Sequence, residues 1–139
     1  MLKLQIIYNN CLQNNACHLF IIIFANSLIL NQINMALHIT DANAEEILAS
    51  DKLVVIDFWG THCGPCMTLA PVIEELASEY EGKAVIGKYN VEEEEGDLSI
   101  QFRIRAVPTL VFLKDGVQVH KITGAAPKSD IKAAIEENL

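Results

Sequence analysis

Apolar and polar positions alternate along this chain in patterns that predict a series of strands and helices. Leu37–Ile39 is a short apolar strand candidate. Thr40 or Asp41 then caps a helix running to about Ala49, with Glu45 and Glu46 near its positive end. Leu53–Trp59 is a nearly continuous apolar, β-branched run, the pattern of a strand covered on both faces. From Pro65 to Tyr80, Leu69, Val72, Ile73, Leu76, Ala77 and Tyr80 recur at helical spacing. Pro71 should kink that helix and Gly82 end it. Ala84–Val91 and Thr109–Leu113 are two more buried strands, with a short helix at Asp97–Phe102 between them. Lys114-Asp115-Gly116 has hairpin chemistry, so Val117–Ile122 should return antiparallel. Pro127 starts a last helix in which Ile131, Ala134, Ile135 and Leu139 face inward. The order β-α-β-α-β-α-β-β-α joins a parallel half to a hairpin half, an α/β architecture with helices for both faces.

Composition narrows the function more than the fold. The 139-residue chain is 51% hydrophobic and 20% charged, enough for the core of one domain and too apolar for disorder. Its 10 basic and 18 acidic residues give a net charge of -8, which repels phosphate backbones and argues against nucleic-acid binding. Four cysteines are too few and too unevenly spread for a small disulfide-stapled scaffold.

Charge also divides the chain. Residues 1–34 hold one basic residue, Lys3, and no acid, and carry the apolar run Leu19–Ala25. Three readings compete for this segment. An export signal would need a stronger basic start and a better cleavage site than Phe24-Ala25-Asn26-Ser27. A membrane anchor would need a longer run than Asn26, Asn31 and Gln32 permit. The third, adopted here with export as its alternative, is that translation starts at Met35 and residues 35–139 form the domain.

The candidate chemistry sits at Trp59-Gly60-Thr61-His62-Cys63-Gly64-Pro65-Cys66, between the first buried strand and the long helix. Cys-x-x-Cys at a helix start puts both sulfurs within disulfide reach. The first thiol meets the free N–H groups and positive end of the helix, which favour thiolate. Cys63 is therefore the expected nucleophile, and Cys66, one turn further in, the resolving thiol. Pro65 is tolerated because the first turn does not need its N–H. Structural zinc needs four ligands, and only one Cys-x-x-Cys is present, so no metal site is expected.

With these residues placed, Met35–Leu139 resembles the thioredoxin family. The resemblance rests on Val55-Ile56-Asp57-Phe58-Trp59, Cys63-Gly64-Pro65-Cys66, Ala70-Pro71, Lys88-Tyr89-Asn90-Val91, Val107-Pro108-Thr109, Phe112-Leu113-Lys114-Asp115-Gly116 and Gly124, in that order. It implies a mixed five-stranded sheet covered by four helices, and a protein-disulfide reductase working by a dithiol/disulfide cycle. By the resemblance, Asp57 exchanges protons with Cys66, and Lys88 pairs with that carboxylate. Burial in an apolar run would raise the Asp57 pKa. Pro108 matches a cis-proline facing the disulfide, and Val107 before it offers backbone hydrogen bonds to an extended substrate. Trp59, Gly64, Pro65 and Gly124 match the docking surface.

The resemblance further implies no bound cofactor, since the dithiol carries the electrons, with NADPH acting only through thioredoxin reductase. The implied partners are that reductase and disulfide-containing proteins, with no nucleic acid or membrane. The implied setting is a cytoplasmic monomer. Two departures stand out: His62 replaces a usual Trp, and Gly60 a usual Ala. Losing the indole removes apolar docking area, while a protonated histidine beside Cys63 would stabilise its thiolate and make the pair more oxidising. An exported oxidase or isomerase, and a binding subunit without turnover, are the rival expectations. The run Glu92–Glu95 reads as a solvated loop.

Overall fold

A computed structural model of the chain describes residues 35–139; the alternatives for residues 1–34 lie outside the described residues. The elements are β1 (Leu37–Ile39), α1 (Ala44–Leu48), β2 (Leu53–Trp59), α2 (Gly64–Glu79), β3 (Ala84–Asn90), α3 (Asp97–Gln101), β4 (Thr109–Lys114), β5 (Val117–Thr123) and α4 (Lys128–Asn138). The strands form one mixed sheet in the order β1-β3-β2-β4-β5. β1 and β2 both run parallel to β3; β4 is antiparallel to β2, and β5 to β4.

β2 is central because it can afford no exposed face: Leu53 to Phe58 are all buried. Alternation along it feeds two cores. Leu53 and Val55 join Ile86, Leu110 and Phe112 beneath α2 and α4, where Leu69, Ile73, Leu76, Ile131 and Ile135 descend. Val54, Ile56 and Phe58 face the other way, toward Tyr89, Val111, Ala44 of α1, and Leu98 of α3. Position 57 therefore points to the α2 side, and a carboxylate there is buried by rule of alternation.

The hairpin has the expected Asp-Gly turn, with Asp115 and Gly116 both at positive φ (50° and 75°). α2 runs unbroken through Pro71 and ends at Glu79, and Gly82 follows in a left-handed turn (φ 79°). Two expectations need correction. Asp41 does not cap α1: the turn leading into Ala44 is closed by Thr40, which exchanges side-chain to backbone hydrogen bonds with Asn43 (2.8 and 3.3 Å) and accepts the Ala44 N–H on its carbonyl at 3.0 Å. Leu139 does not face inward: it lies beyond the last turn of α4 and is 45% exposed.

Candidate functional site

β2 delivers the chain to the site, and a tight turn reverses it into α2. The Cys63 N–H donates to the Gly60 carbonyl at 3.2 Å, which closes this turn. Cys63 then occupies the N-cap position in extended geometry (φ -99°, ψ 104°), with Pro65 in the first turn of α2. Its sulfur accepts the Cys66 N–H at 3.2 Å, so the reactive atom itself satisfies one of the helix's free donors. Cys63 and Cys66 form a disulfide with their Cα atoms 5.3 Å apart. Cys63 is half-buried, whereas Cys66 is 1% exposed. An incoming group reaches only the first sulfur. Gly64 and Pro65 are exposed beside it.

The opposite wall comes from the hairpin half. The Val107–Pro108 peptide is cis. The Val107 carbonyl oxygen stands 3.7 Å from the Cys63 sulfur. Gly124, at the end of β5, has φ 90° and donates its N–H to the Pro108 carbonyl at 2.8 Å. A side chain would strain that backbone, so glycine is required where β5 meets the proline.

Behind the disulfide, Asp57, Trp59, Cys66, Met67, Ala70 and Lys88 line a cavity of about 140 Å3. Asp57 is 1% exposed, and its Oδ1 has no hydrogen-bond partner among the described residues. Burial pushes the Asp57 carboxyl up to about 7, and the positive charge of Lys88 opposes only part of that rise. Trp59 is half-buried, with its indole N–H enclosed and unpaired among the described residues. The expected Lys88–Asp57 pairing is corrected here. The two stand side by side across β2 and β3, yet the Lys88 ammonium bonds to Glu74 on α2. Lys88 therefore acts on Asp57 through space and not through a shared hydrogen bond.

Glu92–Glu95 is also more than a solvated loop. Glu92 accepts the His62 N–H at 3.3 Å and lies 3.1 Å from His62 Nδ1, which ties the exposed imidazole to the end of β3. Gly60 makes room for this: a Cβ there would sit 2.8 Å from Glu92 Oε1. The two departures at Gly60 and His62 are thus joined through one carboxylate. Glu94 accepts the Asp41 N–H at 2.9 Å. Asp41 in turn caps α3 and not its own helix, accepting the N–H groups of Gly96 (3.2 Å) and Leu98 (3.4 Å) and the Tyr89 hydroxyl (2.7 Å). Burial works to raise the Asp41 pKa, but the Tyr89 hydroxyl and these N–H groups outweigh it and hold the carboxyl below its usual range. The one signal in the sequence for these roles was the density of acids near Gly96; their partners lie 30 to 57 residues away.

Among the described residues no group of three or more His, Cys, Asp or Glu could hold a metal ion. Nor is any described helix long and apolar enough to cross a membrane.

Comparison with known proteins fits this geometry. The sequence model of the family described as Thioredoxin matches residues 35–137. A thioredoxin of Chlorobaculum thiosulfatiphilum is 50% identical over 101 residues, covering 72% of this chain and 93% of the relative. Thioredoxin 2 of Chlorobaculum tepidum is 48% identical over 101 residues, covering 72% and 92%. Among solved structures, the Malassezia sympodialis thioredoxin superposes with a TM-score of 0.65 at 36% identity, over 71% of this chain and 85% of that one. With a disulfide capping a helix at the end of the central strand, and relatives of that name at half its sequence, the chain belongs to the thioredoxin family and is a thiol–disulfide oxidoreductase.

Proposed function

We propose that the protein is a cytoplasmic, monomeric reductant of protein disulfides, recharged by thioredoxin reductase at the expense of NADPH. One observation carries the reading: the half-buried Cys63 sulfur faces the N–H groups at the start of α2, while Cys66 is closed off behind it. In the reduced form the Cys63 thiolate attacks one sulfur of a substrate disulfide. A Cys63–substrate bond forms and one substrate thiolate leaves. Asp57 takes the Cys66 proton, the Cys66 sulfur attacks Cys63, and the second substrate thiolate leaves. Two electrons pass from the dithiol to the substrate, so the cycle needs no bound cofactor. The cavity between Asp57 and Cys66, at about 140 Å3, has room for water to relay the proton.

Val107 and Pro108 hold the substrate backbone against the disulfide, with Gly64, Pro65, Trp59 and Gly124 completing the docking surface. This role suits their places around Cys63: the Val107 carbonyl is already within 3.7 Å of the sulfur. Fractionation of the native protein tests the cytoplasmic assignment, and its intact mass tests whether the mature chain begins at Met35.

The enzyme test uses two serine variants and a model protein disulfide. Cys63→Ser should abolish reduction, with no mixed disulfide formed. Cys66→Ser should accumulate the mixed disulfide and stop. Turnover retained in Cys63→Ser would defeat the assignment of roles.

A further inference from the structure

Lys88 stands beside Asp57 in the register of β2 and β3, so both side chains leave the same face of the sheet under α2. Its ammonium nevertheless turns to Glu74, in the third turn of that helix. Glu74 is itself gripped from two sides. One carboxylate oxygen takes the Lys88 ammonium; the other accepts the Ala36 N–H at 2.6 Å, where the chain enters β1. The Glu74–Lys88 pair is largely shielded from solvent, with side-chain exposures of 28% and 22%.

The remaining neighbours of Asp57 cannot substitute for this lysine. Across β4 its partner is Leu110, buried and uncharged. From α2 comes Cys66, which is in the disulfide. His38 on β1 is next in the row beyond Lys88 and is exposed. Lys88 is the cation that acts on Asp57, and Glu74 decides where it rests.

We propose that Glu74 is a positioning residue for proton transfer at Asp57: by holding Lys88 it keeps the buried carboxyl unpaired and basic enough to take the Cys66 proton. The proposal rests on the reading of Asp57 as the base. Without the Glu74 charge, the ammonium is free to swing to the unpaired Oδ1 of Asp57. An opposite charge in contact stabilises the carboxylate and weakens it as a base. The removal of Glu74's own negative charge acts in the same direction.

The test compares Glu74→Gln, Lys88→Gln, their double variant and Asp57→Asn in the full chain. Glutamine at position 74 can still accept the Ala36 N–H, so the entry to β1 keeps its anchor. The readouts are the Asp57 titration midpoint in the oxidised protein, followed by carboxyl NMR, and the pH profile of mixed-disulfide resolution. Glu74→Gln should move both toward acid by about one pH unit. The double variant should undo that move, because no ammonium remains to pair with Asp57. An unchanged Asp57 midpoint in Glu74→Gln overturns the proposal, as does a move that survives in the double variant. A change in melting temperature alone also overturns it, leaving Glu74 a purely structural link. If Asp57→Asn resolves mixed disulfides at the wild-type rate and pH profile, the base reading itself fails and the proposal falls with it.

Discussion

Replacing Asp57 with asparagine should make this protein more stable, and increasingly so as the pH rises. The buried carboxyl is displaced from its ordinary value of 3.8 to about 7. At ~1.4 kcal/mol per pH unit, keeping Asp57 ionised in the folded state costs about 4 kcal/mol. The sign follows from proton counting. Between the unfolded and folded values the native state binds more protons than the unfolded state, so stability falls as pH rises. The loss begins near the ordinary value, continues to about 7 and is then complete. Roughly 3 kcal/mol of it falls between about pH 5 and pH 8. The fold tolerates this because each fully buried neighbour on β2, such as Val55 or Phe58, contributes about 1.5–3 kcal/mol. Urea unfolding of the oxidised protein and of Asp57→Asn across that range measures the effect. Titrations common to both proteins cancel in the difference. The gap between their midpoints should widen by on the order of 1–3 M urea from the acid to the alkaline end. Two stability curves running parallel throughout would refute the reasoning and return Asp57 to an ordinary carboxylate.

Two further changes test the frame around the site. Gly87→Ala would place a Cβ 2.6 Å from Ile39 Cδ1 and 2.7 Å from the Leu37 carbonyl, so β1 must move; thermal unfolding should show a loss of about 1–3 kcal/mol. Asp41→Ala leaves the buried Tyr89 hydroxyl and the start of α3 without their acceptor and should cost about 1–3 kcal/mol at neutral pH. Because the Asp41 pKa is lowered in the fold, that deficit should be full above the usual carboxylate range and shrink as acid protonates the wild type; a deficit unchanged by acid would contradict it.

Elements whose partners are a few residues away were legible in the sequence. The apolar run Leu53–Phe58, the Asp115-Gly116 turn and the inward face Ile131, Ala134 and Ile135 each follow a local period, and the structure keeps them. Cys63 and Cys66 belong to the same class, since one helical turn fixes their separation. The misreadings share a different cause. Asp41 looked like the cap of the helix after it because sequence spacing describes only adjacent turns; its true partners lie 48 to 57 residues away. Lys88 was matched to Asp57 by the family resemblance, and nothing in the sequence reveals that Glu74 of α2 reaches the ammonium. Leu139 fits the helical period, but the helix stops one residue earlier.

The sulfur that begins α2 ties two quantities that are usually measured apart. Reduction turns Cys63 from half of a disulfide into a thiolate, a stronger acceptor for the Cys66 N–H and for the positive end of the helix. Oxidised and reduced, folded and unfolded, the four states form a closed thermodynamic box. The stability that this cap adds to the reduced fold must therefore reappear as an easier reduction of the folded pair. Each ~1.4 kcal/mol is worth ~30 mV in a two-electron couple. Any change that frays the first turn of α2 will then shift melting temperature and oxidising strength together, even with both cysteines untouched.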